Sequence, residues 1–428
     1  MLYNKDIETL PLEELRKLQD ERLRGLVTRL YQDVPFYREQ FIAAGLEPGD
    51  IQGVSDLPKL PLTTKEDLRQ NYPFSMFAKP MDDVRRIHAS SGTTGKPTVV
   101  GYTQNDLDIF DEVVARSMVA AGARPGMKLH NAYGYGLFTG GLGMHGGATR
   151  LGMAVIPVSG GMTDRQLMIL QDFEPEVICC TPSYAQTLAA ECRKRGIDPA
   201  KLKVQYGILG AEPWTNAIRD EVEAGLRIQA TNIYGLSEII GPGVSQEDVD
   251  EKGSGSYVWE DHFYPEIIDR DTGEVLPYGE EGVLVFTTLT KEAFPLLRYS
   301  TNDICSLHYD PNGKRTHIKM SPIKGRADDM LIIRGVNLFY TQVEEVIHQF
   351  DFLVPHYRLV VSKREALDRV KVEVEVGKGI DASNTDLQQQ LANKIKNAIG
   401  LSMEVELFTN GSIPGSQGGK LSRIVDLR

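Results

Sequence analysis

Between Asp106 and Gly235, short apolar runs alternate with stretches of helical pattern, and this alternation constrains the fold more than any other feature of the chain. The helical "DLDIFDEVVARSMVAAG" leads to an apolar run near Leu129, after which "AVIPV", "EVICC", "YGILG" and "QATNIYG" follow in turn. Helices are expected from Asp164, Ser183 and Asn216 in the intervals. Short buried strands alternating with helices indicate an α/β domain with a largely parallel sheet. In such sheets ligands bind beyond the carboxyl ends of the strands, so the loops that follow these runs are where chemistry is to be sought.

A chain of 428 residues exceeds a single ordinary core, so a large and a smaller folding unit are expected. Upstream, Leu23, Leu26, Val27 and Leu30 have the spacing of an amphipathic outer helix. After Gly253 the texture changes to β-like pieces, "YPEIIDR", "GVLVFTTL" and "DICSLHY", separated by the turn signals "DTGE", "YGEEG" and "DPNGK". These read as a small β subdomain. Beyond "GRADDMLIIRGVN", Val343, Val346, Ile347 and Phe350 form a helical stripe, Val370 to Val376 alternate as a strand, and Leu387, Leu391, Ile395 and Ala398 form a second helical stripe. The fold class expected is therefore α/β: a large N-terminal α/β domain (1–327) with parallel sheet and a small β subdomain, then a C-terminal α+β domain (328–428).

The formal net charge of −12 disfavours nonspecific binding to nucleic acid or anionic membrane, since both are polyanions and no basic block compensates. The segment "MLYNKDIETLPLEELRKL" has no apolar signal core, and no run is long enough to span a bilayer, so a cytoplasmic location is expected. Cys179, Cys180, Cys192 and Cys305 form no CxxC pair and are expected to be reduced, buried thiols. Cys305 and His308 have the spacing of half a metal site, but no second pair completes it.

One stretch is suited to polyphosphate. In "SSGTTGKP", Gly92 and Gly95 let the backbone approach a ligand, Ser90, Ser91, Thr93 and Thr94 offer hydroxyls, and Lys96 brings a mobile positive charge. It is not a Walker A loop, which requires glycine where Ser90 stands and Ser or Thr where Pro97 stands. "GGLGMHGG" contains a GxGxxG, but the preceding residues are not a clear strand, so a close-packed glycine-rich helix start is the better reading than a dinucleotide site. In "NAYGYGLFTGG", Tyr133, Tyr135 and Phe138 alternate with glycines, which suits either an apolar slot for a flat ligand or core packing. Glu212 and Glu238 each follow a strand-like run, where a carboxylate near a phosphate loop suits Mg²⁺. Asp303, with Arg298 before it and Arg326 after it, has the chemistry to accept ribose hydroxyls or to form a surface ion pair. No GxSxG elbow is present, so chemistry must rest on positioning and charge stabilisation.

Taken in order, "SSGTTGKP", "YGLSE", "GRADDMLIIRGVN" and the lysine of "PGSQGGKLSR" resemble the motifs of the adenylate-forming superfamily, the acyl-CoA synthetases and their relatives. More closely, "ASSGTTGKPTVVGYT", "NAYGYGLFTGG", "GAEPWT", "YGLSEIIGPG", "WEDHFYPEIID" and "DDMLIIRGVN" resemble the phenylacetate-CoA ligase family over nearly the whole chain. The resemblance implies ATP, Mg²⁺ and coenzyme A as co-reactants, with phenylacetate or a related aryl acid as substrate. It implies nucleotide contacts from Ser90, Ser91, Gly92, Thr93, Thr94, Gly95 and Lys96 around the phosphates. Gly210, Ala211, Glu212, Pro213, Tyr234, Gly235, Leu236 and Ser237 would lie around the adenosine, Asp303 and Arg326 at the ribose, and Glu238 on the metal. The aryl acid would meet Tyr133, Tyr135, Phe138, Gly140, Gly210, Ala211 and Pro242. Asp328 would be the hinge of a mobile lid domain, and Lys420 would join Lys96 and Glu238 as a catalytic group. A homodimer is implied as well, and the alternative is an adenylating enzyme that loads a carrier protein.

Overall fold

The computed structural model describes all positions except 91–96, 328–330, 334–335, 365–366, 414–422 and 428. It divides into two compact units, Met1–Glu212 with Glu221–Pro322, and Ile323–Arg428 with Pro213–Asp220.

The first unit opens with α1 (Lys5–Glu8), α2 (Leu12–Asp33), α3 (Pro35–Ala43) and α4 (Lys65–Gln70). The apolar stripe of α2 is buried as its spacing requires, at Leu15, Leu23, Leu26, Val27 and Leu30. An antiparallel hairpin of β1 (Arg86–Ala89) and β2 (Val99–Tyr102) follows. Thr103 then caps α5 (Gln104–Ala120), its hydroxyl accepting from the Asp106 N–H at 3.1 Å and the Asp106 carboxylate returning to the Thr103 N–H at 2.9 Å.

The alternating segment comprises β3 (Lys128–Asn131), α6 (Thr139–Leu151), β4 (Ala154–Ile156), α7 (Thr163–Asp172), β5 (Val177–Cys180), α8 (Pro182–Arg195), β6 (Tyr206–Gly210), α9 (Asn216–Leu226) and β7 (Gln229–Leu236). Its strands lie in the order β4-β3-β5-β6-β7, all parallel. Every residue of β5 is buried, which is why that strand reads as a continuous apolar run without alternation. The glycine-rich "GGLGMHGG" lies inside α6. A Cβ at Gly143 would strike the Phe110 ring, and one at Gly147 the side chain of Val114, so the small residues let α6 close on α5.

The β-rich segment contributes β8 (Gly241–Glu247), β9 (Ser256–Val258), β10 (Phe263–Ile268), β11 (Glu281–Thr288), β12 (Tyr299–His308) and β13 (Lys319–Met320). These strands do not stand apart. Through antiparallel pairing they extend the parallel strands in the order β7-β8-β9-β13-β12-β11-β10.

Two buried charge clusters hold this extension in place. Glu8 of α1 accepts Arg315 Nε at 2.6 Å while Arg315 Nη1 reaches Asp248 at 2.6 Å, all three side chains being buried. Arg116 of α5 grips Asp261 through two bonds of 2.8 and 2.9 Å and Glu112 through a third of 2.7 Å. Nearby, His317 Nδ1 accepts the Glu260 N–H at 3.0 Å and Nε2 faces the Ile7 carbonyl at 3.2 Å.

That pairing requires a neutral ring with its proton on Nε2. Burial accordingly lowers the His317 pKa from 6.5 to about 4. The unfolded chain takes up this proton as pH falls through 6.5, whereas the folded chain does so only near 4. Stability is expected to decline across that window, and His317→Gln to flatten the decline. His262, lowered to about 3 by burial, remains in the variant, so the slope shrinks rather than vanishes. Urea midpoints measured near neutral pH and at mildly acid pH check this; identical slopes in the two proteins would refute it.

The second unit contains β14 (Gly325–Arg326), a hairpin of β15 (Leu331–Ile333) and β16 (Val336–Leu338), α10 (Tyr340–Ile347), β17 (Leu353–Arg364), β18 (Leu367–Val376), α11 (Thr385–Ile399), β19 (Glu404–Phe408) and β20 (Ile424–Asp426). Its sheet runs β19-β18-β17-β20, the central pair antiparallel and both outer pairs parallel. Val370, Val372, Val374 and Val376 form one face of β18 and pack in a common core with Val343, Val346 and Ile347 of α10 and Leu391 and Ile395 of α11. The period-two and period-four patterns in the sequence thus meet in one core.

The described cysteines are all free and buried. His308 is engaged with the Ser254 carbonyl at 3.2 Å, and among the described residues no His, Cys, Asp and Glu group has the arrangement of a metal cage. No described helix is long and apolar enough to cross a membrane.

Candidate active site

The loops after β5, β6 and β7 leave the sheet at the carboxyl ends of neighbouring parallel strands, which places them side by side. At the end of β6, Gly210 must be glycine, because a Cβ there would strike the carbonyl of Ile233 on β7. Ala211 has φ +71°, an uncommon conformation for a residue with a side chain. Glu212 follows, its carboxylate accepting the Ser183 hydroxyl at 3.0 Å and the Ser183 N–H at 3.3 Å at the start of α8.

Tyr234 and Gly235 end the regular pairing of β7. The Tyr234 hydroxyl donates to Asp303 at 2.6 Å, a bond between residues 69 apart in sequence. Burial, and after it the Asp303 charge, pushes the Tyr234 phenol well above its ordinary pKa, so it remains a donor. Arg298 does not serve as the partner of Asp303. It is buried with φ +46°, paired with Glu266 at 3.1 Å and donating to the Leu60 carbonyl at 2.6 Å. Ser237 bonds the Thr139 hydroxyl at the start of α6 at 3.1 Å, tying the turn after β7 to that helix.

Glu238 is buried, yet among the described residues no group donates to its carboxylate. A carboxylate that no described group engages can take a divalent cation. Oxygen donors suit Mg²⁺, which uses one or two protein carboxylates together with substrate phosphates and water. The residues present therefore fit that ion.

The glycine-rich loop joins β1 to β2. Ser91, Gly92, Thr93, Thr94, Gly95 and Lys96 lie outside the described residues, as do Asp328 and Lys420. At the base of the loop, the Ser90 N–H donates to Thr98 at 2.9 Å, and the N–H of Ala89 donates to the Leu137 carbonyl at 2.9 Å. The aromatic segment thus meets the first strand of the phosphate-loop hairpin.

The aromatic residues occupy different environments. Tyr133 is buried, its phenol pushed well above the ordinary range by burial, and Gly140 packs on its ring, 3.7 Å from the position of a Cβ. Tyr135 is half-buried, its hydroxyl accepting from Asn131 Nδ2 at 2.9 Å and meeting His145 at 3.1 Å. Phe138 is 54 % exposed. Pro242 of β8 stands opposite Gly235. Tyr133 thus packs with Gly140, Gly235 pairs with Pro242, and Tyr234 bonds Asp303. Pro213 and Arg326 belong to the second unit.

Several supporting residues escaped sequence reasoning. Asn131 is fully buried and bonds the Gly141 carbonyl at 2.8 Å as well as Tyr135. Lys291 is buried, its pKa lowered by burial to about 8, and its ammonium donates to the Glu238 carbonyl at 3.2 Å. A lysine inside the apolar surroundings of "LTKEAFPLL" was the available signal for the second.

Gly235 allows a direct test of this packing. Its Cβ would strike the Gly241 carbonyl oxygen across β7 and β8, so Gly235→Ala is expected to destabilise by about 1–3 kcal/mol. Because it lies in the "YGLSE" motif, nucleotide binding of the kind the family resemblance implies should weaken as well. Urea unfolding and nucleotide titration together check this, and wild-type values in both would show that the two strands separate without cost.

Residues 5–289 match the model of the AMP-binding enzyme family, and residues 335–428 match that of the AMP-binding enzyme C-terminal domain. The chain is 58 % identical to phenylacetate-coenzyme A ligase from Thermus thermophilus over the whole of both chains. It is 52 % identical to phenylacetate-coenzyme A ligase from Escherichia coli, covering 99 % of this chain and 97 % of that one. Among solved structures, 2-hydroxyisobutyryl-CoA ligase in the postadenylation state with R3-HIB-AMP superposes with a TM-score of 0.91 at 26 % identity, covering 99 % of this chain and 92 % of that one. With the strand-end motifs on the corresponding fold, the chain belongs to the AMP-binding, adenylate-forming enzymes and, within them, to the phenylacetate-coenzyme A ligase family.

Proposed function

We propose that this chain is an AMP-forming ligase that activates phenylacetate or a related aryl acid with ATP and transfers the acyl group to coenzyme A. The observation that carries the reading is the 58 % identity, over its full length, to a protein named phenylacetate-coenzyme A ligase. The site geometry supports it. A phosphate-type loop, a carboxylate at Glu238 that no described group engages and the Tyr234–Asp303 pair are the elements such a reaction needs.

A carboxylate is too electron-rich to accept a thiol until one oxygen becomes a good leaving group. Attack of the acid on the α-phosphorus of ATP forms an acyl-adenylate and releases diphosphate. The thiol of coenzyme A then attacks the acyl carbon, and AMP departs with the former carboxylate oxygen. Ser90, Ser91, Gly92, Thr93, Thr94, Gly95 and Lys96 hold the β- and γ-phosphates. Gly210, Ala211, Glu212, Pro213, Tyr234, Gly235, Leu236 and Ser237 surround the adenosine, with Asp303, oriented by Tyr234, accepting from the ribose and Arg326 nearby.

Glu238 would hold Mg²⁺, which when bound would supply charge neutralisation for the phosphates. Tyr133 and Gly140, with Tyr135, Phe138, Gly210, Ala211 and Pro242, border the aryl ring. Lys420 donates to the α-phosphate region during adenylation. Asp328 is the hinge between domains 1–327 and 328–428, whose rotation withdraws Lys420 and admits the pantetheine thiol. The family likeness also supports a homodimer, which sedimentation measures.

The test is incubation of the purified protein with ATP, Mg²⁺, coenzyme A and a panel of aryl acids, following AMP, diphosphate and acyl-CoA. Acid-dependent AMP with an equal amount of thioester is expected. Adenylate without thioester would move the acceptor to a carrier protein, a reading the CoA-ligase relatives do not favour. Release of ADP would overturn both.

A further inference from the structure

Lys291 stands out among the buried cations of the first unit because the acids whose charge it feels, Asp106 and Glu238, stop short of an ion pair. The residue is 2 % exposed, and among the described residues no carboxylate forms an ion pair with its ammonium. Instead the ammonium donates to the backbone carbonyl of Glu238 at 3.2 Å and lies over the rings of Tyr102 at 4.9 Å and Phe294 at 5.4 Å. Taking an ammonium out of water without an ion-pair partner is costly, and an apolar side chain of similar volume would fill the space more favourably. What the lysine provides beyond filling is the hold on that carbonyl, and with it a positive charge that the Asp106 and Glu238 carboxylates feel.

The backbone under Lys291 is itself locked. Asp106, fully buried at the start of α5, accepts the N–H groups of Glu292 at 2.6 Å and Ala293 at 2.9 Å. Thr103, its capping partner, donates its hydroxyl to the Glu292 carboxylate at 2.8 Å, and Arg29 holds the Lys291 carbonyl at 2.7 Å. A second tie reaches the same turn. The Tyr102 hydroxyl donates to the Ile240 carbonyl at 2.8 Å, and the Ile239 and Ile240 N–H groups close on Leu236 at 3.1 and 3.2 Å. Tyr102 ends β2, the strand to which the glycine-rich loop returns.

We propose that Lys291 is a positioning residue for Glu238: with Tyr102 it clamps the turn after β7 from below and so fixes where the metal-binding carboxylate stands relative to the phosphate-loop hairpin. This inference rests on the reading of Glu238 as the Mg²⁺ ligand. Groups that orient a metal ligand characteristically change metal affinity by about 10–100-fold when removed.

The experiment is calorimetric titration, without acid or coenzyme A, of wild type, Lys291→Met, Tyr102→Phe and Glu238→Gln with Mg·ATP and, separately, with ATP in the presence of EDTA. Methionine keeps the packing of the stem and removes the donor. Lys291→Met is expected to bind Mg·ATP about tenfold more weakly and metal-free ATP as wild type does. Tyr102→Phe should shift in the same direction by a smaller factor. A role in packing alone would move both titrations together, so equal weakening with and without metal overturns the proposal, as does wild-type affinity for Mg·ATP. If Lys291→Met does not fold, Tyr102→Phe decides by the same criteria. Weakened Mg·ATP binding in Glu238→Gln beside wild-type binding in the other two would sink the positioning role alone. Wild-type binding in Glu238→Gln would remove the metal reading, and the inference with it.

Discussion

Replacement of Lys420 by alanine is expected to slow acyl-adenylate formation by about 10²–10³-fold, the cost of losing one preorganised donor at developing transition-state charge. Negative charge grows on the pentacoordinate α-phosphorus and its oxygens as the acid attacks, and an ammonium there stabilises that state more than the ground state. The second half reaction involves no such phosphorus. Thioester formation from supplied acyl-adenylate and coenzyme A should therefore proceed at close to the wild-type rate in the same variant. Diphosphate exchange reads the first step, and thioester formation from synthetic adenylate reads the second. Equal losses in both would show that the lysine supports folding or nucleotide binding at large, and the role assigned to it would fall.

The largest expected effect on stability lies at Arg116. Its guanidinium is buried, joined to Asp261 by bonds of 2.8 and 2.9 Å and to Glu112 at 2.7 Å, and it lies 5.6 Å from the centre of the Trp259 ring. The neighbouring His262 and then the bidentate Arg116 grip hold the Asp261 carboxyl well below its usual range despite burial. Arg116→Met fills much of the same volume but leaves Asp261 charged in the interior with, among the described residues, only Arg22 at 3.8 Å and His262 at 3.2 Å beside it, so a loss of about 3–5 kcal/mol is expected. Adding Asp261→Asn removes the stranded charge and should restore part of that loss. Urea unfolding of the two variants and wild type separates the alternatives. A double variant no more stable than Arg116→Met would show that lost packing around Trp259, rather than an orphaned carboxylate, accounts for the change.

The pair also shows why such features escape a linear reading. Arg116 and Asp261 are 145 residues apart, one within a helix of ordinary amphipathic pattern and the other in "WEDHF". Nothing local in either segment names the other. Asp303 presents the same difficulty. Proximity in sequence suggested Arg298 as its neighbour, whereas backbone reversal at Arg298, with φ +46°, sends that side chain to Glu266 and leaves Asp303 to Tyr234. Side-chain direction at such a position depends on the backbone conformation, which residue spacing does not encode.

Where local physics suffices, the sequence determined the outcome. The spacing of Leu23, Leu26, Val27 and Leu30 specifies a helix with one buried face; the fully apolar "VICC" specifies a strand covered on both sides; and the alternating valines of β18 specify a sheet with one core face. From the order of these elements follow a parallel sheet and the placement of Glu212 and Glu238 just beyond strand ends. Tertiary structure alone decided that β9 and β13 join the later strands edge to edge with the parallel ones, that Tyr133 is buried while Phe138 is exposed, and that Lys291 reaches the carbonyl of Glu238. Periodicity reports which face of an element leaves water. It carries no information about which distant element meets that face, because that choice is made by the path of the whole chain and by the need to satisfy every buried charge and hydrogen-bonding group at once.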